Sequence, residues 1–402
     1  MRRPRLALAI LTAINLLNYL DRFVVPPVGE SIKATLHTTD AQFGALASAF
    51  LVVYMCTAPV FGAFGDRPGR PRLIAAGVAL WSVATAAAGL APNYTGLLAA
   101  RATVGIGEAA YSALAPAVLA DYFPERVRGR VFAIFYSAIP VGSALGYILG
   151  GLVDRRFGWR AAFFIAGLPG LAFAVLAWFL DDPGPAGDGV ARQKTRSGFG
   201  LYAPLLRNRS YVRTIAGYAA YTFALGGISV WMPTFLIRVR GMPAATANSQ
   251  LGTVLVATGF VGTFLGGWLA DALLRRTRQA YLWLSGVSTM LAAPLAWIAL
   301  TVPGATAYWV SLTAAEILIF ASTGPINSAI VSDVPPAARA AAMAASILAI
   351  HTLGDVPSPW LIGLLSDATS LSRAVLIIPI AIALAGAVWV YAATRRATAP
   401  PW

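Results

Sequence analysis

The sequence has few charged residues, few histidines and one cysteine. Asp, Glu, Lys and Arg make up only 11% of its 402 residues, against about 25% in an ordinary soluble domain. The single cysteine, Cys56, excludes a disulfide framework and a cysteine-based metal site. His37 is followed by Thr38 and Thr39, which excludes a His-Glu-x-x-His zinc helix at that position. We therefore expect no metal centre.

Motifs for nucleotide-driven and enzymatic chemistry are also missing. The two lysines, Lys33 and Lys194, follow Ile and Gln, so the chain has no phosphate loop of the Gly-Lys-Ser/Thr type. No nucleophile stands in a pattern with a base or a metal cluster, and we predict that the chain is not an enzyme. We expect no cofactor and no use of ATP. Any process of this protein that requires energy must then draw on an ion gradient, most simply of protons.

Long apolar runs, in contrast, recur along the whole chain. Hydrophobic residues make up 58% of the sequence, and the mean hydropathy is +0.70. About 20 apolar residues in a helix cross the ~30 Å hydrocarbon core of a bilayer. A window of about 19 residues predicts twelve such helices, at residues 6–26, 43–64, 73–90, 95–120, 131–153, 161–180, 214–237, 252–269, 281–302, 307–331, 341–365 and 374–394. The prediction is an all-α integral membrane protein.

Basic residues are distributed very unevenly between the loops. If the N-terminus is cytoplasmic, 21 of the 30 Lys and Arg residues fall on the cytoplasmic side and seven on the outer side, while Arg22 and Arg101 fall inside helices. The positive-inside rule then predicts a multi-pass protein of the cell (inner) membrane with both termini cytoplasmic. Because the basic residues form short loop clusters rather than one surface, the net charge of +14 does not indicate nucleic-acid binding.

The two halves of the chain repeat each other. Gly62-x-x-x-Asp66 closes the second predicted helix, and Gly267-x-x-x-Asp271 closes the eighth, 205 residues later. Such parallel repeats are typical of transporters built from two bundles related by a pseudo-twofold axis. We predict a six-helix bundle at 1–181, a cytoplasmic linker at 182–213 rich in Pro, Gly and basic residues, and a second six-helix bundle at 214–402.

Charged loop motifs follow the second and eighth predicted helices. We predict that they latch a cytoplasmic gate, because an acid there can accept from a helix N-terminus or from an Arg across the bundle interface. Charges that serve only to set the topology are the alternative. The candidate gating residues are Asp66, Arg67, Arg70, Asp271 and Arg275.

Three glycines, Gly142, Gly146 and Gly150, are spaced four residues apart along the fifth predicted helix. Small residues at this spacing place one helix face close to a neighbour, so we assign them to helix packing.

Several ionisable residues lie within the predicted spans, where charges are costly and by default indicate function. From the helical rise of about 1.5 Å per residue, Asp21 and Arg101 lie at nearly the same depth, so the two side chains can meet. Glu108 is seven residues beyond Arg101, on the same helix face and about 10 Å further towards the cytoplasm. His351 and Asp355 share a face, so they can pair with each other or face the first bundle together.

We assign the coupling proton to Asp21 and Glu108 and the anionic group of a substrate to Arg22 and Arg101. An acid held between two arginines, as we expect for Asp21, stays ionised, and its protonation frees an Arg to bind an anion. A static charge network that only fixes the packing of the helices is the alternative. Further candidate substrate contacts are Asn18, Tyr19, Glu316, His351 and Asp355.

The loop after the second helix, Gly62-Ala-Phe-Gly-Asp-Arg-Pro-Gly-Arg, resembles a signature of the major facilitator superfamily. The fifth-helix glycines are similar to its antiporter motif, except that Tyr147 replaces the expected proline. Asn18-Tyr-Leu-Asp-Arg22, Gly105-Ile-Gly-Glu108, Gly324-Pro-Ile-Asn327 and His351-Thr-Leu-Gly-Asp355-Val-Pro-Ser-Pro resemble the Spinster branch. That resemblance implies export of amphipathic lipids, such as lysophospholipids and sphingoid phosphates, with proton coupling in some members, and a monomer.

The leading hypothesis is a secondary transporter that moves an amphipathic or organic anion by alternating access. Membrane lipids surround it. A drug or metabolite exporter of another branch and a sugar or dicarboxylate transporter remain alternatives. A membrane receptor, which would bind its ligand without net flux, is the alternative from another class.

Overall fold

The computed structural model describes residues 4–62, 69–183, 202–334 and 339–396. Within these ranges the chain is almost entirely helical and contains no β-strand. The helices of the first half are α1 Pro4–Val24, α2 Gly29–Leu36, α3 Asp40–Gly62, α4 Arg70–Gly89, α5 Tyr94–Tyr122, α6 Glu125–Phe157 and α7 Trp159–Trp178.

The second half is broken into shorter pieces. Its helices are α8 Tyr202–Arg207, α9 Arg209–Arg238, α10 Ala244–Leu274, α11 Ala280–Thr301, α12 Ala305–Phe320, α13 Thr323–Ser332, α14 Arg339–Ile350, α15 Pro357–Ala368, α16 Leu371–Ala374 and α17 Ile377–Arg396. A π-helical segment, His351–Asp355, joins α14 to α15.

Twelve helical segments among the described residues are long and apolar enough to cross a membrane. The number confirms the twelve predicted spans. Some spans join two elements: α1 continues through a 3₁₀ turn into α2, and α12 with α13 forms one span. The first predicted helix, 6–26, corresponds to α1, and a 3₁₀ turn at Pro26–Val28 then carries the chain on into α2.

Close helix approaches at glycines build the first half. A Cβ atom on Gly142 would lie 2.5 Å from the Leu16 carbonyl oxygen, and one on Gly146 would lie 2.7 Å from that of Leu20. A Cβ atom on Gly150 would lie 2.6 Å from the Pro27 ring. All three glycines therefore lie where α6 crosses α1 and the turn that follows it, where a side chain of any size would force the backbones apart.

The structure forms two compact units. The first comprises the described residues of Met1–Gly189 together with Ser229–Thr253, and the second comprises those of Val190–Ile228 and Val254–Trp402. Segment Ser229–Thr253 lies in the predicted second bundle by sequence but packs with the first unit. Its contacts there include a hydrogen bond from the Tyr147 hydroxyl to the Ser229 carbonyl oxygen (2.5 Å). The boundaries predicted at 181 and 213 stay predictions, because residues 184–201 lie outside the described ranges.

Candidate functional site

An acid on α1 and an arginine on α5 meet inside the first unit. Asp21 is completely buried, and its Oδ1 accepts a hydrogen bond from Nη1 of Arg101 at 2.9 Å. Its other oxygen, Oδ2, accepts from the Thr85 hydroxyl on α4. The contact between Asp21 and Arg101 confirms what the equal depth of the two residues predicted. Thr85 was not anticipated, since a lone threonine in an apolar run gives no signal.

A second ion pair joins the same two helices, α1 and α5. The Nε of Arg22 donates to Oε2 of Glu108 at 2.6 Å, and Glu108 is fully buried. Asp21 and Arg22 are neighbours in sequence, yet each pairs with a residue of α5 rather than with the other. Our hypothesis placed Asp21 between Arg22 and Arg101, whereas among the described residues Asp21 forms its ion pair with Arg101 and Arg22 forms its own with Glu108. Successive residues of a helix point about 100° apart, which lets one turn of α1 supply both contacts.

The two pairs, which we call the crossed ion pairs, retain unused hydrogen-bonding capacity. Glu108 Oε1, Arg101 Nε and Asn18 Nδ2 are buried and have no hydrogen-bond partner among the described residues. A buried polar atom without a partner costs about 1–3 kcal/mol, more when it is charged. In a native structure such an atom requires an explanation, such as a bound water, a bound ion or a functional role.

Aromatic rings surround the Arg22 guanidinium. Its central carbon lies 5.3 Å from the ring centre of Tyr19, 5.1 Å from that of Phe50 and 4.8 Å from that of Tyr54. Tyr19 was a predicted site residue, whereas Phe50 and Tyr54 of α3 were missed. Aromatic residues are common in membrane spans, so their positions in the sequence gave no reason to select these two.

The second unit contains a buried acid that forms no ion pair with any residue the structure describes. Glu316 of α12 is 3% exposed, and its Oε2 accepts from the Thr258 hydroxyl of α10 at 2.7 Å. Its Oε1 has no hydrogen-bond partner in the described part of the chain. Glu316 repeats Glu108 at an interval of 208 residues, but its surroundings supply a hydroxyl where those of Glu108 supply a guanidinium.

His351 and Asp355 pair with each other in the π-helical segment. The Nδ1 of His351 lies 2.9 Å and 3.0 Å from the two carboxylate oxygens of Asp355. A Cβ atom on Gly226 of α9 would lie 2.8 Å from the Asp355 Cα, so α9 passes directly against this segment. π-Helical turns are rare and frequently mark functional sites. Of the two predicted arrangements, the structure shows the pair.

Comparison with known proteins identifies the family. The family model described as Major Facilitator Superfamily matches residues 11–359. The chain belongs to the major facilitator superfamily. It is 35% identical over 391 residues to Protein spinster homolog 3 of Danio rerio, covering 92% of this chain and 78% of that protein. It is 36% identical over 394 residues to Protein spinster homolog 1 of Homo sapiens, covering 91% and 73%. The resemblance to the Spinster branch is confirmed.

A further relative and two solved structures are also similar to this chain. Probable sphingolipid transporter spinster homolog 2 of Arabidopsis thaliana is 32% identical over 396 residues, which cover 90% of this chain and 81% of that protein. A crystal structure of a bacterial homolog to the human lysosomal transporter Spinster has a TM-score of 0.89 at 23% identity and covers 99% of both chains. The D-xylose-proton symporter has a TM-score of 0.75 at 16% identity, covering 95% and 96%. These two structures support the fold alone.

One predicted gating residue of this Spinster-type transporter lies in a buried charge cluster. Arg70, 2% exposed, donates from Nη1 to Asp121 at the end of α5 (2.5 Å) and from Nη2 to Asp182 after α7 (2.7 Å). The backbone N–H of Gly69 also donates to Asp182 (2.8 Å). Asp121 and Asp182 were missed, because acids near helix ends are ordinary in sequence.

The other predicted gating residues of the transporter give no comparable cluster. Asp66 and Arg67 lie outside the described residues. Asp271 and Arg275, at the end of α10, are exposed and form no ion pair within the described ranges. No three His, Cys, Asp or Glu side chains converge as a metal site in the part of the chain that the structure describes.

Proposed function

We propose that this Spinster-type transporter moves an amphipathic or organic anion, similar to a lysophospholipid or sphingolipid, by proton-coupled alternating access. The name of the Arabidopsis relative, a probable sphingolipid transporter, supports the class of substrate. The crossed ion pairs support the coupling, and they are the observation on which the proposal rests.

The proposed coupling uses the exchange of partners at buried charges. Proton binding to Glu108 neutralises the carboxylate that holds the Arg22 guanidinium (2.6 Å). Because an arginine does not give up its own proton, the uncompensated guanidinium then needs another anion. The anionic group of the substrate supplies it. Proton release restores the ion pair and expels the substrate. We propose the same exchange for the neighbouring pair, in which protonation of Asp21 releases Arg101.

The distribution of charge and the missing nucleotide motifs support the proposed membrane orientation and energy source. We place the transporter in the cell (inner) membrane with both termini cytoplasmic, because 21 of 30 basic residues lie in loops assigned to that side. The resemblance to the family implies a monomer. The proton gradient, rather than ATP or a cofactor, supplies its energy. Membrane lipids and the substrate are its proposed partners.

Flux in proteoliposomes tests this function. Labelled oleoyl lysophosphatidate is loaded on one side, and albumin extracts the transported fraction with and without a pH gradient. We expect the gradient to accelerate flux in the parent and not in Asp21→Asn, and we expect Arg101→Ala to raise the half-saturating concentration.

Asp154→Asn is the matched control, because Asp154 of α6 accepts from Ser31 (2.6 Å) and lies outside the crossed ion pairs. This variant should respond to the gradient like the parent. Proton coupling through Asp21 is wrong if Asp21→Asn transports and moves protons like the parent. Saturable flux of a short polar solute that lysolipids do not inhibit would exclude the lipid-like substrate.

A further inference from the structure

Three rings enclose the guanidinium of Arg22: Tyr19 of α1 and Phe50 and Tyr54 of α3. We call them the aromatic cradle. All three ring centres lie between 4.8 and 5.3 Å from the guanidinium carbon. A cation at this distance is attracted by the ring quadrupole, and arginine in addition stacks its planar group against the ring.

The cradle leaves one edge of the guanidinium unused. Nε donates to Glu108 at 2.6 Å, whereas neither Nη group of Arg22 has a hydrogen-bond partner among the described residues. The side chain is 18% exposed, so this edge is not sealed off. Two parallel N–H groups on a planar fork match an anion that carries two adjacent oxygens, such as a phosphate or a carboxylate.

Phe50 contacts both cations of the crossed ion pairs. Its ring centre lies 5.1 Å from the guanidinium carbon of Arg22 and 5.4 Å from that of Arg101. Phe50 is buried, and its ring packs 6.0 Å from that of Tyr54. One ring of α3 therefore contacts both guanidinium groups.

A glycine on α5 sets the position of α3. A Cβ atom on Gly105 would lie 2.6 Å from the Phe50 carbonyl oxygen and 3.0 Å from the Tyr54 amide nitrogen. The backbone that bears both rings is thus pressed against α5, three residues before Glu108. A flexible surface contact would not require a residue without a side chain here.

We propose that Phe50 and Tyr54 are positioning residues of the anion site. They hold the Arg22 guanidinium with Nε on Glu108 and with its Nη edge free, so that the two oxygens of a phosphate or carboxylate can bind there when Glu108 takes up a proton. The identity of that anion as substrate rests on the proposed function, whereas the arrangement of Arg22 does not.

Arginine side-chain NMR tests the arrangement without a ligand. The protein is labelled with ¹⁵N-arginine, and the Nε–H signal of Arg22 is identified by its loss in Arg22→Lys. Its short bond to a carboxylate gives a downfield, slowly exchanging proton. We expect Tyr54→Phe, which keeps the ring, and Phe264→Leu, at an exposed position of α10, to retain this signal. Phe50→Leu and Tyr54→Leu should lose it.

Melting temperatures of all variants are compared with that of the parent. Tyr54→Met, closer in length to tyrosine, replaces Tyr54→Leu if that variant does not fold, and Phe50→Met likewise replaces Phe50→Leu. An unchanged Arg22 signal in both variants that lack a ring overturns the proposal.

Binding of oleoyl lysophosphatidate in detergent, followed by tryptophan fluorescence with neutral monoolein as the reference, tests the consequence. Phe50→Leu and Tyr54→Leu should each raise the half-saturating concentration roughly tenfold, and Tyr54→Phe should not. Parent-like binding by both leucine variants contradicts the proposal. If the parent and Arg22→Ala bind the probe equally, the proposed function fails, and the NMR result alone then decides the role of the cradle.

Discussion

Individual residues of the crossed ion pairs should respond unequally to removal. Glu108→Leu leaves the Arg22 guanidinium charged and without its acidic partner, since arginine is not deprotonated in proteins. Arg22→Met leaves a carboxyl group, which can take up a proton and become neutral. Breaking a buried pair costs about 3–5 kcal/mol when the remaining charge persists. We therefore expect Glu108→Leu to lower the melting temperature in detergent more than Arg22→Met does.

The double variant Arg22→Met/Glu108→Leu provides the control. Without either charge, it should recover most of the loss caused by Glu108→Leu, because an apolar pair of similar volume replaces a buried ion pair at little cost. Equal losses in the two single variants would contradict the predicted difference between the remaining guanidinium and the remaining carboxyl group. Additive losses in the double variant would contradict a direct interaction between Arg22 and Glu108.

Depth along the membrane could be predicted at the scale of residues, but rotation about the helix axis could not. The helical rise placed Asp21 and Arg101 at one level, and they meet. Which acid each arginine selects depends on how α1, α3 and α5 pack. Phe50 and Tyr54 were therefore missed, although Gly105 beside Gly107 indicated a close approach of some helix to α5.

At the scale of helices, the contact between α3 and α5 should be sensitive to one methyl group. In Gly105→Ala the new Cβ would lie 2.6 Å from the Phe50 carbonyl oxygen, so α3 must move. Strain of this kind typically costs about 1–3 kcal/mol. We expect a lower melting temperature.

Gly259→Ala on α10 is the matched control for this substitution. A Cβ atom there meets nothing within 4 Å, and alanine favours a helix by about 1 kcal/mol over glycine. This variant should melt at or above the temperature of the parent. Equal melting of the two variants would show that the α3–α5 contact tolerates separation.

Interruptions within helices were the least predictable elements. Residues 341–365 were expected to form one helix, whereas the structure has α14, the π-helical segment and α15. Apolar periodicity does not separate these types of helix over five residues. Gly354 with Pro357 was the available signal, since proline removes one backbone donor and glycine lowers helix stability.

At the scale of the whole molecule, a charge cluster ties segment Ser229–Thr253 to the first unit. Arg238 donates from both Nη groups to Asp40 (2.6 and 2.8 Å), and Lys33 also reaches Asp40 (2.8 Å). Because Arg238 is partly exposed, its removal should loosen the segment rather than unfold the protein. We expect Arg238→Met to increase amide hydrogen exchange within 229–253 and to leave exchange in α4 unchanged. Unchanged exchange in both regions would show that apolar packing alone holds the segment.

Orientation in the membrane is the last whole-molecule property that the distribution of charge predicts. In a Cys56→Ser background, Thr369→Cys lies in a loop assigned to the outer side, and Leu206→Cys lies on α8 in the region assigned to the cytoplasm. Both positions are exposed, and neither substitution changes a charge. An impermeant maleimide added to intact cells should label Thr369→Cys at once and Leu206→Cys only after permeabilisation. Since the 21 to seven bias counts every basic loop residue, the reverse pattern would invert all twelve spans together and move the Arg70 cluster to the outer face.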